Sequence, residues 1–519
     1  MTDRLSTSSA PQTVSAMLER RARTTPDRVA FIEGATGTVL TWSDLSVEAD
    51  RWRHAADRLD GGRVGLVIGD PLTMIASYLG ALAAGVTVAP LNPAITPHEL
   101  ADQDRMLGLA GLVTDAVPLS ARTILPSTSV WTTDPDGLSL VDAPAPTAKR
   151  HLHRSAPLAG GAALVLASSG TTGTPKIIPL SEANLLHTAY ALVANHDLVA
   201  SDRGYCPLPL FHINALVVGA LSTVVSGASL VVDRKFSARN FWPRVESFGA
   251  TWLNLVPAII TVLSERPGPA SRVADRVAFA RSASAPLPHA TRQRFEMRCG
   301  VGVIETYGMT EAASQIAANP KEPEEGKVGS VGRPVGLELR VVDRDRRPLP
   351  TGTLGEVEIR GDNVVRCYWE PAGAVPASRP AVDAAGWLST GDLGQLDEDG
   401  FLTLVGRCDD VINRGGEKLY PREIEEVLLG DPAVSAAAVV GRPHPTVGEE
   451  PVAFVITASG YESDDGALAA RLKARCQRNL SHFKLPASIT VAEQLPSGPT
   501  GKIRHSELRR AVAASTDTA

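Results

Sequence analysis

Apolar strand-like and helix-like segments alternate through the first two-thirds of the chain. RVGLVIGD (63–70) is followed by the helical pattern TMIASYLGALAAG and then by the strand-like run VTVAPL. LSTVVSGASLVVD and ATWLNLVPAIITVLSE repeat this order. Apolar strands separated by helices are typical of parallel sheets covered by helices on both faces. The alternation therefore predicts an α/β fold built on a mainly parallel sheet.

The pattern changes after about residue 330. Short alternating runs at 337–343, 355–361 and 401–407 predict antiparallel β-hairpins. From about residue 412 a compact tail follows, with a helix at PREIEEVLLG, two strands and a second helix near 465–479. A chain of 519 residues has room for two or more domains.

We place the domain boundary after residue 408, giving domains of 1–408 and 409–519. Asp409 and Asp410 lie between two structured segments, which suits an exposed hinge. Within the first domain, Val117–Pro157 is rich in Pro, Ser and Thr and is predicted to be an irregular surface connection.

Composition excludes several classes of protein. The formal net charge of −6 gives no general basic field for nucleic acid. The five cysteines are far apart and odd in number, as expected for reduced thiols in the cytoplasm. The polar N-terminus lacks the apolar core of a signal peptide. The apolar stretches 73–91 and 215–232 each fit a buried helix followed by a buried strand better than a membrane span.

The stretch SSGTTGTPK, Ser168–Lys176, gathers hydroxyls, glycines and one lysine. It is not a Walker A loop, because two residues rather than four separate its glycines and a proline precedes the lysine. By itself it could be an ordinary turn. The strand-like AALVLA before it and the helical SEANLLHTAYALVAN after it favour a loop that offers donors to an anion.

Four further stretches follow that loop in a recognisable order: ETYGMTEAA (305–313), STGDLG (389–394), GRCDDVINRGGEKLYPREIE (406–425) and PSGPTGKIRH (496–505). In order and spacing the five motifs resemble those of the AMP-forming adenylate enzymes, a superfamily of acyl-CoA synthetases, adenylation domains and luciferases. The resemblance extends from about residue 12 to residue 511.

The resemblance implies a large adenylate-forming domain, with parallel sheets, helices and a β-barrel-like part, and a small mobile α+β lid domain. It also implies activation of a small carboxylic acid by ATP to acyl-AMP, with pyrophosphate release, and transfer of the acyl group to coenzyme A. ATP, Mg²⁺ and CoA would be the cofactors. The carboxylate of the acid must approach the negatively charged phosphates of ATP. Charge neutralisation and positioning should therefore dominate catalysis.

Residues that match the family motifs take their expected roles from the resemblance. Thr310 would contact the α-phosphate, and Glu311 would help to bind Mg²⁺. Lys502 would bridge the reacting carboxylate and the α-phosphate. The β- and γ-phosphates would be held by the loop residues Ser168, Ser169, Gly170, Thr171, Thr172, Gly173 and Lys176.

Tyr307 would stack on adenine, and Asp392 would accept the ribose hydroxyls with Arg407 beside it. Taken singly, each of these residues has an ordinary alternative as a packing aromatic, a turn cap or a surface charge. The family's second step turns the C-terminal domain about a hinge, which Asp409 matches. Gly415 and Gly416 match the loop that lines the pantetheine tunnel, where a missing side chain permits close approach.

The acyl group is specified less sharply. His212 in PLPLFHINAL would border the acyl pocket, although a packing histidine is an alternative. The stretches at 235–242, 279–288 and 311–320 resemble those of oxalyl-CoA synthetases, which take a very small dicarboxylate. Burying a second carboxylate needs a cation or several donors. The candidates are Arg281, Ser282, Ser284 and Asn214.

Two departures leave other acids open. The oxalyl-type pattern has histidines where this chain has Asn214 and Ser314, so a monocarboxylate, an amino acid or an aryl acid is an alternative substrate. The acceptor could also be a carrier-protein thiol or another nucleophile. Nothing specific points to a luciferase-like oxygenase. A degenerate binding protein should have lost at least one of Lys176, Glu311, Asp392 and Lys502.

The expected partners follow from these points. They are a small carboxylic acid and either CoA or a separate carrier protein, with no nucleic acid and no membrane. The expected state is a cytoplasmic monomer or homodimer.

Overall fold

The structure is a computed structural model, and it describes residues 13–59, 62–115, 129–134, 137–142, 161–168, 176–322, 325–370, 378–458, 460–461, 464–498 and 502–516. The α-helices in this part of the chain are α1 (Val14–Thr24), α2 (Trp42–Leu59), α3 (Pro71–Ala83), α4 (Pro97–Leu107), α5 (Glu182–Asn195), α6 (Ser222–Ser226), α7 (Phe241–Phe248), α8 (Pro257–Ser264), α9 (Ser271–Ala274), α10 (His289–Cys299), α11 (Pro421–Leu429), α12 (Asp465–Asn479) and α13 (His505–Thr516).

The strands up to the end of the parallel sheets are β1 (Val29–Glu33), β2 (Val39–Thr41), β3 (Arg63–Val67), β4 (Val88–Pro90), β5 (Leu109–Thr114), β6 (Ser129–Asp134), β7 (Gly137–Asp142), β8 (Leu164–Ser168), β9 (Lys176–Leu180), β10 (Arg203–Cys206), β11 (Ser229–Val232), β12 (Trp252–Leu255), β13 (Phe279–Ser282), β14 (Val303–Tyr307), β15 (Ala317–Ala318) and β16 (Arg333–Pro334). The later strands are β17 (Glu338–Val342), β18 (Gly355–Arg360), β19 (Cys367–Trp369), β20 (Ser378–Pro380), β21 (Leu388–Leu396), β22 (Leu402–Arg407), β23 (Ile412–Arg414), β24 (Glu417–Leu419), β25 (Val434–His444), β26 (Gly448–Thr457) and β27 (Ser488–Val491).

Two nine-stranded sheets form the larger part of the molecule. Their spatial orders are β16-β15-β14-β13-β12-β10-β11-β1-β2 and β20-β19-β9-β8-β4-β3-β5-β6-β7. The central strands of both sheets are parallel, and antiparallel strands lie at the edges. The α/β fold predicted from the alternation is therefore confirmed. One continuous core of buried aliphatic and aromatic side chains joins the two sheets to their helices.

Local sequence explains where the helices nearest the site begin. Ser181 caps α5 by accepting a hydrogen bond from the Asn184 amide, and the Asn184 side chain accepts one from the Ser181 amide in return. Asp70 caps α3 by accepting a hydrogen bond from the Thr73 amide, with Pro71 at the first helical position. Such caps satisfy amides that the helix leaves unbonded. They fix where each of these helices begins.

The apolar stretch 215–232 forms a buried helix followed by the buried strand β11, as predicted. The first part of that helix, Asn214–Leu221, is however wound as a π-helix. Its residues are all buried. A π-helical turn widens the helix and is often found at functional sites. The periodicity of an entirely apolar segment cannot reveal this winding, since every position is buried.

The prediction of an irregular connection over Val117–Pro157 was wrong in part. Strands β6 and β7 lie within it and pair as an antiparallel hairpin, and β6 also pairs in parallel with β5. Thr, Val and Trp favour strands, and that preference prevailed over the turn-like composition. Residues 117–128, 135–136 and 143–157 lie outside the described part of the chain.

The hairpins predicted after residue 330 form an antiparallel sheet in the order β17-β18-β21-β22. The C-terminal segment has its own sheet, β24-β23-β26-β25, with β27 paired to β26. A separate hydrophobic cluster that begins at Ile412 fills the space between this sheet and helices α11 and α12. This separate core supports a boundary after residue 408, which stays a prediction.

The two parts meet through helix α11. The Arg422 guanidinium donates to the Leu404 carbonyl at 2.8 Å. The amide of His289 donates to Glu426 at 3.4 Å. In the part of the chain that the structure describes, no helix is both long enough and apolar enough to cross a membrane.

Candidate active site

A tyrosine, an aspartate and an arginine meet beyond the carboxyl end of β14. The Tyr307 hydroxyl donates to one oxygen of Asp392, and the Arg407 guanidinium donates to the other at 3.1 Å. Asp392 and Arg407 face each other across β21 and β22. Burial, followed by the charge of Asp392, raises the pKa of Tyr307 well above its usual value, so its hydroxyl keeps its proton. The carboxylate is thus held in a fixed position next to an aromatic ring.

The turn after Tyr307 leaves no room for another residue at its glycine. A Cβ on Gly308 would lie 1.5 Å from the Ser314 carbonyl oxygen. Ala313 and Ser314 both have positive φ angles, 49° and 102°, although neither is glycine. Strained backbone of this kind persists only where its surroundings enforce it. Here Asn363 does so by donating to the carbonyls of Ala312 and Gln315.

This turn presents Glu311 in a nearly dry position. Glu311 is 7% exposed, and its backbone carbonyl accepts from the Val365 amide. Among the described residues, its one side-chain donor is the Tyr368 hydroxyl, at 3.4 Å. Burial raises the pKa of Glu311, and the charge of Lys176 opposes that shift. A buried carboxylate with so few donors has unused capacity for a hard cation.

Lys176 lies on the other side of the same tyrosine. Its ammonium nitrogen is 5.1 Å from the centre of the Tyr368 ring. Within the described residues Lys176 and Glu311 make no salt bridge. A cation and a carboxylate thus share one aromatic neighbour without neutralising each other, which suits a ligand that carries both phosphates and a metal ion. One carboxylate together with phosphate oxygens and waters is an ordinary arrangement for Mg²⁺.

The predicted phosphate loop is described only at its two ends. Ser168 and Lys176 are opposite each other in the antiparallel pair of β8 and β9. The strand before the loop and helix α5 after it are confirmed. Ser169, Gly170, Thr171, Thr172 and Gly173 lie outside the described residues, as does the side chain of Ser168.

On the acyl side, His212 is held at the entrance to the π-helix. Its ring packs on Phe211, with ring centres 4.5 Å apart. Its Nε2 is buried and has no hydrogen-bond partner among the described residues. Burial lowers the pKa of His212 to about 4, so the imidazole is neutral near pH 7. Asn214 follows and accepts a hydrogen bond from Asn254 at 2.9 Å.

Arg281 is enclosed in the sheet beneath these residues. It is 1% exposed, and burial lowers its pKa to about 9, which still leaves it charged at neutral pH. Ser282 is also buried and its hydroxyl has no partner in the described part of the chain. Ser284 is exposed and has a φ of 74°. The structure therefore brings Asn214 and Arg281 together through Asn254, and places Ser284 at the surface. His212 makes no hydrogen bond to this group in the described part of the chain.

The C-terminal residues are not brought to this cluster. Asp409 lies in a short 3₁₀ turn, where its carbonyl accepts from Arg509. Gly415 and Gly416 have φ angles of 60° and 92° at the turn between β23 and β24. Lys502 is exposed and, in the described residues, touches none of the groups around Glu311. Its predicted role requires the C-terminal domain to move.

Sequence reasoning missed four residues of the site. Tyr368 joins Lys176 to Glu311, and no motif marks it. His196, Asn254 and Gln315 bind Arg281 from three separate segments. The QIAANP stretch after Glu311 contained Gln315, but only the fold shows which way its side chain points.

The grouping of Tyr307, Asp392 and Arg407 near Glu311 fits the nucleotide site that the resemblance to adenylate-forming enzymes predicts. Residues 18–369 match the family described as AMP-binding enzyme, and residues 423–502 match the AMP-binding enzyme C-terminal domain. The chain belongs to this family. It is an AMP-forming acid–CoA ligase, which uses ATP to convert a carboxylic acid into an acyl adenylate and then into an acyl-CoA. ATP, Mg²⁺ and CoA are its cofactors, as predicted.

Three proteins show how similar this chain is to known enzymes and structures. A sulfoacetate–CoA ligase of Cupriavidus necator is 38% identical, with 96% of this chain and 97% of the relative covered. An oxalate–CoA ligase of Arabidopsis thaliana is 35% identical, with 96% and 98% covered. The crystal structure of ATP-bound MatB from Rhodopseudomonas palustris is 28% identical, with a TM-score of 0.83 and 96% and 99% covered. The predicted resemblance to oxalyl-CoA synthetases is confirmed at this level.

Proposed function

We propose that this ligase activates a short acid that carries a second anionic group. The observation that carries the proposal is Arg281, a fully buried cation for which the described residues provide no carboxylate partner. An unpaired buried charge is costly, and a ligand of opposite charge removes that cost. The names of the two relatives, a sulfoacetate ligase and an oxalate ligase, describe acids of this kind.

The adenosine part of ATP would bind where a negative charge is already paired. Asp392 accepts hydrogen bonds from Tyr307 and Arg407, and it would accept the ribose hydroxyls while the Tyr307 ring lies against adenine. Thr310, at the start of the turn that carries Glu311, would contact the α-phosphate. Because the turn is fixed by Gly308 and Asn363, it would hold these groups in place before ATP arrives.

Charge neutralisation supplies the chemistry of the first step. A carboxylate oxygen attacks the α-phosphorus and the bond to pyrophosphate breaks. Lys176 and the adjoining loop would hold the leaving pyrophosphate. Glu311 would hold Mg²⁺, which when bound offsets charge on the phosphates. Lys502 would reach the reacting oxygens from the C-terminal domain and stabilise the charge that develops there.

His212 would border the acid as a neutral imidazole, because burial keeps its pKa near 4. A neutral ring can accept or donate one hydrogen bond without adding a charge beside the reacting carboxylate. In the second step the C-terminal domain would turn about Asp409. Gly415 and Gly416, where added Cβ atoms would meet almost nothing, would then leave space for pantetheine.

A pyrophosphate-release assay over a panel of acids tests the proposal. Sulfoacetate and oxalate are compared with propionate, an amino acid and an aryl acid, with and without CoA. Release that needs an acid but no CoA, highest with the dianionic acids, and loss of free thiol when CoA is added are expected. Highest release with a monoanionic acid would overturn the acid class. Thiol consumption by a carrier protein in place of CoA would move the acceptor to a separate partner.

A further inference from the structure

A row of polar side chains crosses the otherwise apolar face of the first sheet. Cys206, Asn254, Arg281 and Thr306 come from the adjacent parallel strands β10, β12, β13 and β14. Asn254 donates to the Cys206 sulfur at 3.5 Å, and Arg281 donates to Asn254 at 3.2 Å and to Thr306 at 3.3 Å. None of the four is more than 7% exposed. The row is a continuous buried hydrogen-bond network.

Three residues from outside the sheet complete this network. His196, at the end of α5, accepts from Arg281 Nε at 3.0 Å. Gln315 accepts through its Oε1 from Arg281 Nη2 at 2.6 Å. Asn214 joins through Asn254. The network therefore reaches from the π-helix beside His212 to the loop that follows Glu311.

Every partner of the guanidinium is neutral. Asn254, Thr306 and Gln315 carry no charge. Burial, together with the nearby charge of Arg281, holds the pKa of His196 well below its usual value, so His196 accepts as a neutral ring. Among the described residues no carboxylate lies within salt-bridge distance of Arg281. One positive charge is left uncompensated between the acyl side and the nucleotide side of the site.

Gln315, which accepts from Arg281, also carries an unused donor. Because a guanidinium can only donate, the oxygen of the Gln315 amide must face Arg281, which fixes where its nitrogen lies. That nitrogen, Nε2, is buried and has no acceptor in the described part of the chain, and the residue is 2% exposed. A buried donor without an acceptor is expensive to maintain. An acceptor supplied by a ligand would remove that cost.

We propose that Gln315 is a specificity-determining residue, whose amide nitrogen donates to the second anionic group of the acid while Arg281 supplies the opposing charge. This inference rests on the proposed function, since it assigns part of the same pocket. The second group is a carboxylate or a sulfonate close to the activated carboxylate. The backbone of Gln315 is held by Asn363, so the donor is in place before the acid binds.

The test compares acids that differ in one charge. Oxalate is paired with oxamate and sulfoacetate with methylsulfonylacetate, because each second acid keeps nearly the same shape but is neutral at the distal group. Acid-dependent pyrophosphate release gives kcat/KM for each. The variants are Gln315→Glu, which gives Arg281 a carboxylate partner inside the fold, and Gln315→Met, which removes the amide at similar volume. Gln293→Glu, on the exposed face of α10, makes the same chemical change away from the site.

Gln315→Glu is expected to lower kcat/KM for the charged acid of each pair by about 100-fold, and to change that for the neutral acid by less than about threefold. Gln315→Met is expected to lower it about tenfold for the charged acid only. Gln293→Glu should change neither, and the KM for ATP should stay constant. Melting temperatures show that each variant is folded.

Equal losses on both acids of a pair would mean that Gln315 supports the fold and would overturn the inference. The inference would also be overturned if the wild-type enzyme activated acids readily but showed no preference for the charged member of each pair. The ligase activity itself would then stand. If the wild-type enzyme releases no pyrophosphate with any acid of the panel, the proposed function fails and the inference fails with it.

Discussion

The two ends of the site treat charge in opposite ways. Where the ribose would bind, Asp392 is already paired, because Tyr307 and Arg407 both donate to its carboxylate. At the acyl end, Arg281 is surrounded by neutral acceptors and keeps a whole positive charge inside the fold. A paired arrangement fits a ligand common to the whole family. An unpaired charge selects one class of ligand, so the acyl end is where this enzyme's particular substrate is specified.

The largest effect is expected for Lys502, which belongs to neither end of the described cluster. Lys502 is exposed and makes no contact with the described cluster, so its proposed role requires the C-terminal domain to move. Lys502→Ala should lower acid-dependent ATP–pyrophosphate exchange by about 10³-fold. Thioester formation from supplied acyl-AMP should fall less than about tenfold.

Lys473→Ala is the matched control, because Lys473 is an exposed lysine of the same domain. Normal exchange in the Lys502 variant, or an equal loss in the control, would remove Lys502 from the chemistry.

Glu311→Gln tests the nucleotide end itself. The substitution keeps the shape but removes the charge that would hold Mg²⁺, so adenylation should fall by about 100-fold and need more Mg²⁺. The measurement is the Mg²⁺ dependence of pyrophosphate release. Glu398→Gln makes the same change outside the site. An unchanged Mg²⁺ dependence would leave Glu311 a purely structural group.

Asp392→Asn should have a milder effect, confined to ATP. The amide can accept at only one atom, so one hydrogen bond to the ribose would be lost and the KM for ATP should rise about tenfold. The KM for the acid should not move. A change in the acid's KM of similar size would show that the two ends are not separate. Steady-state kinetics with each substrate varied in turn gives both values.

The smallest effect concerns the acyl end and pH. Because burial holds the pKa of His212 at about 4, the unfolded chain takes up a proton on this residue below pH 6.5 while the folded chain does not. Stability is therefore lost as pH falls, by about 2 kcal/mol between pH 8 and pH 5. The His212→Asn variant should lose correspondingly less free energy of unfolding over that pH range, as measured by urea titration. If the free energy of unfolding falls equally with pH in the wild-type protein and the variant, His212 is not a buried neutral imidazole.

The parts of the fold with a regular pattern were open to sequence reasoning. Alternation predicted the parallel sheets and the later hairpins. The β6–β7 hairpin and the π-helix at Asn214 were missed, since composition and full burial hide them. The motifs pointed to Tyr307, Glu311 and Asp392, because each lies in a short stretch that resembles a family motif.

The acyl end depends on contacts between distant segments. His196, Asn254 and Gln315 converge on Arg281 from three parts of the chain, and no spacing rule connects them. Arg281 was named as a candidate from its motif. Its missing counter-charge is visible only when the neighbours are known.

The most direct measurement is the ratio of kcat/KM for oxalate over oxamate and for sulfoacetate over methylsulfonylacetate in the wild-type enzyme, by acid-dependent ATP–pyrophosphate exchange. An uncompensated Arg281 predicts that the charged acid of at least one pair is preferred by about 100-fold or more. Ratios near one, or a preference for the neutral acids, would contradict the claim that the acyl end selects a second negative charge.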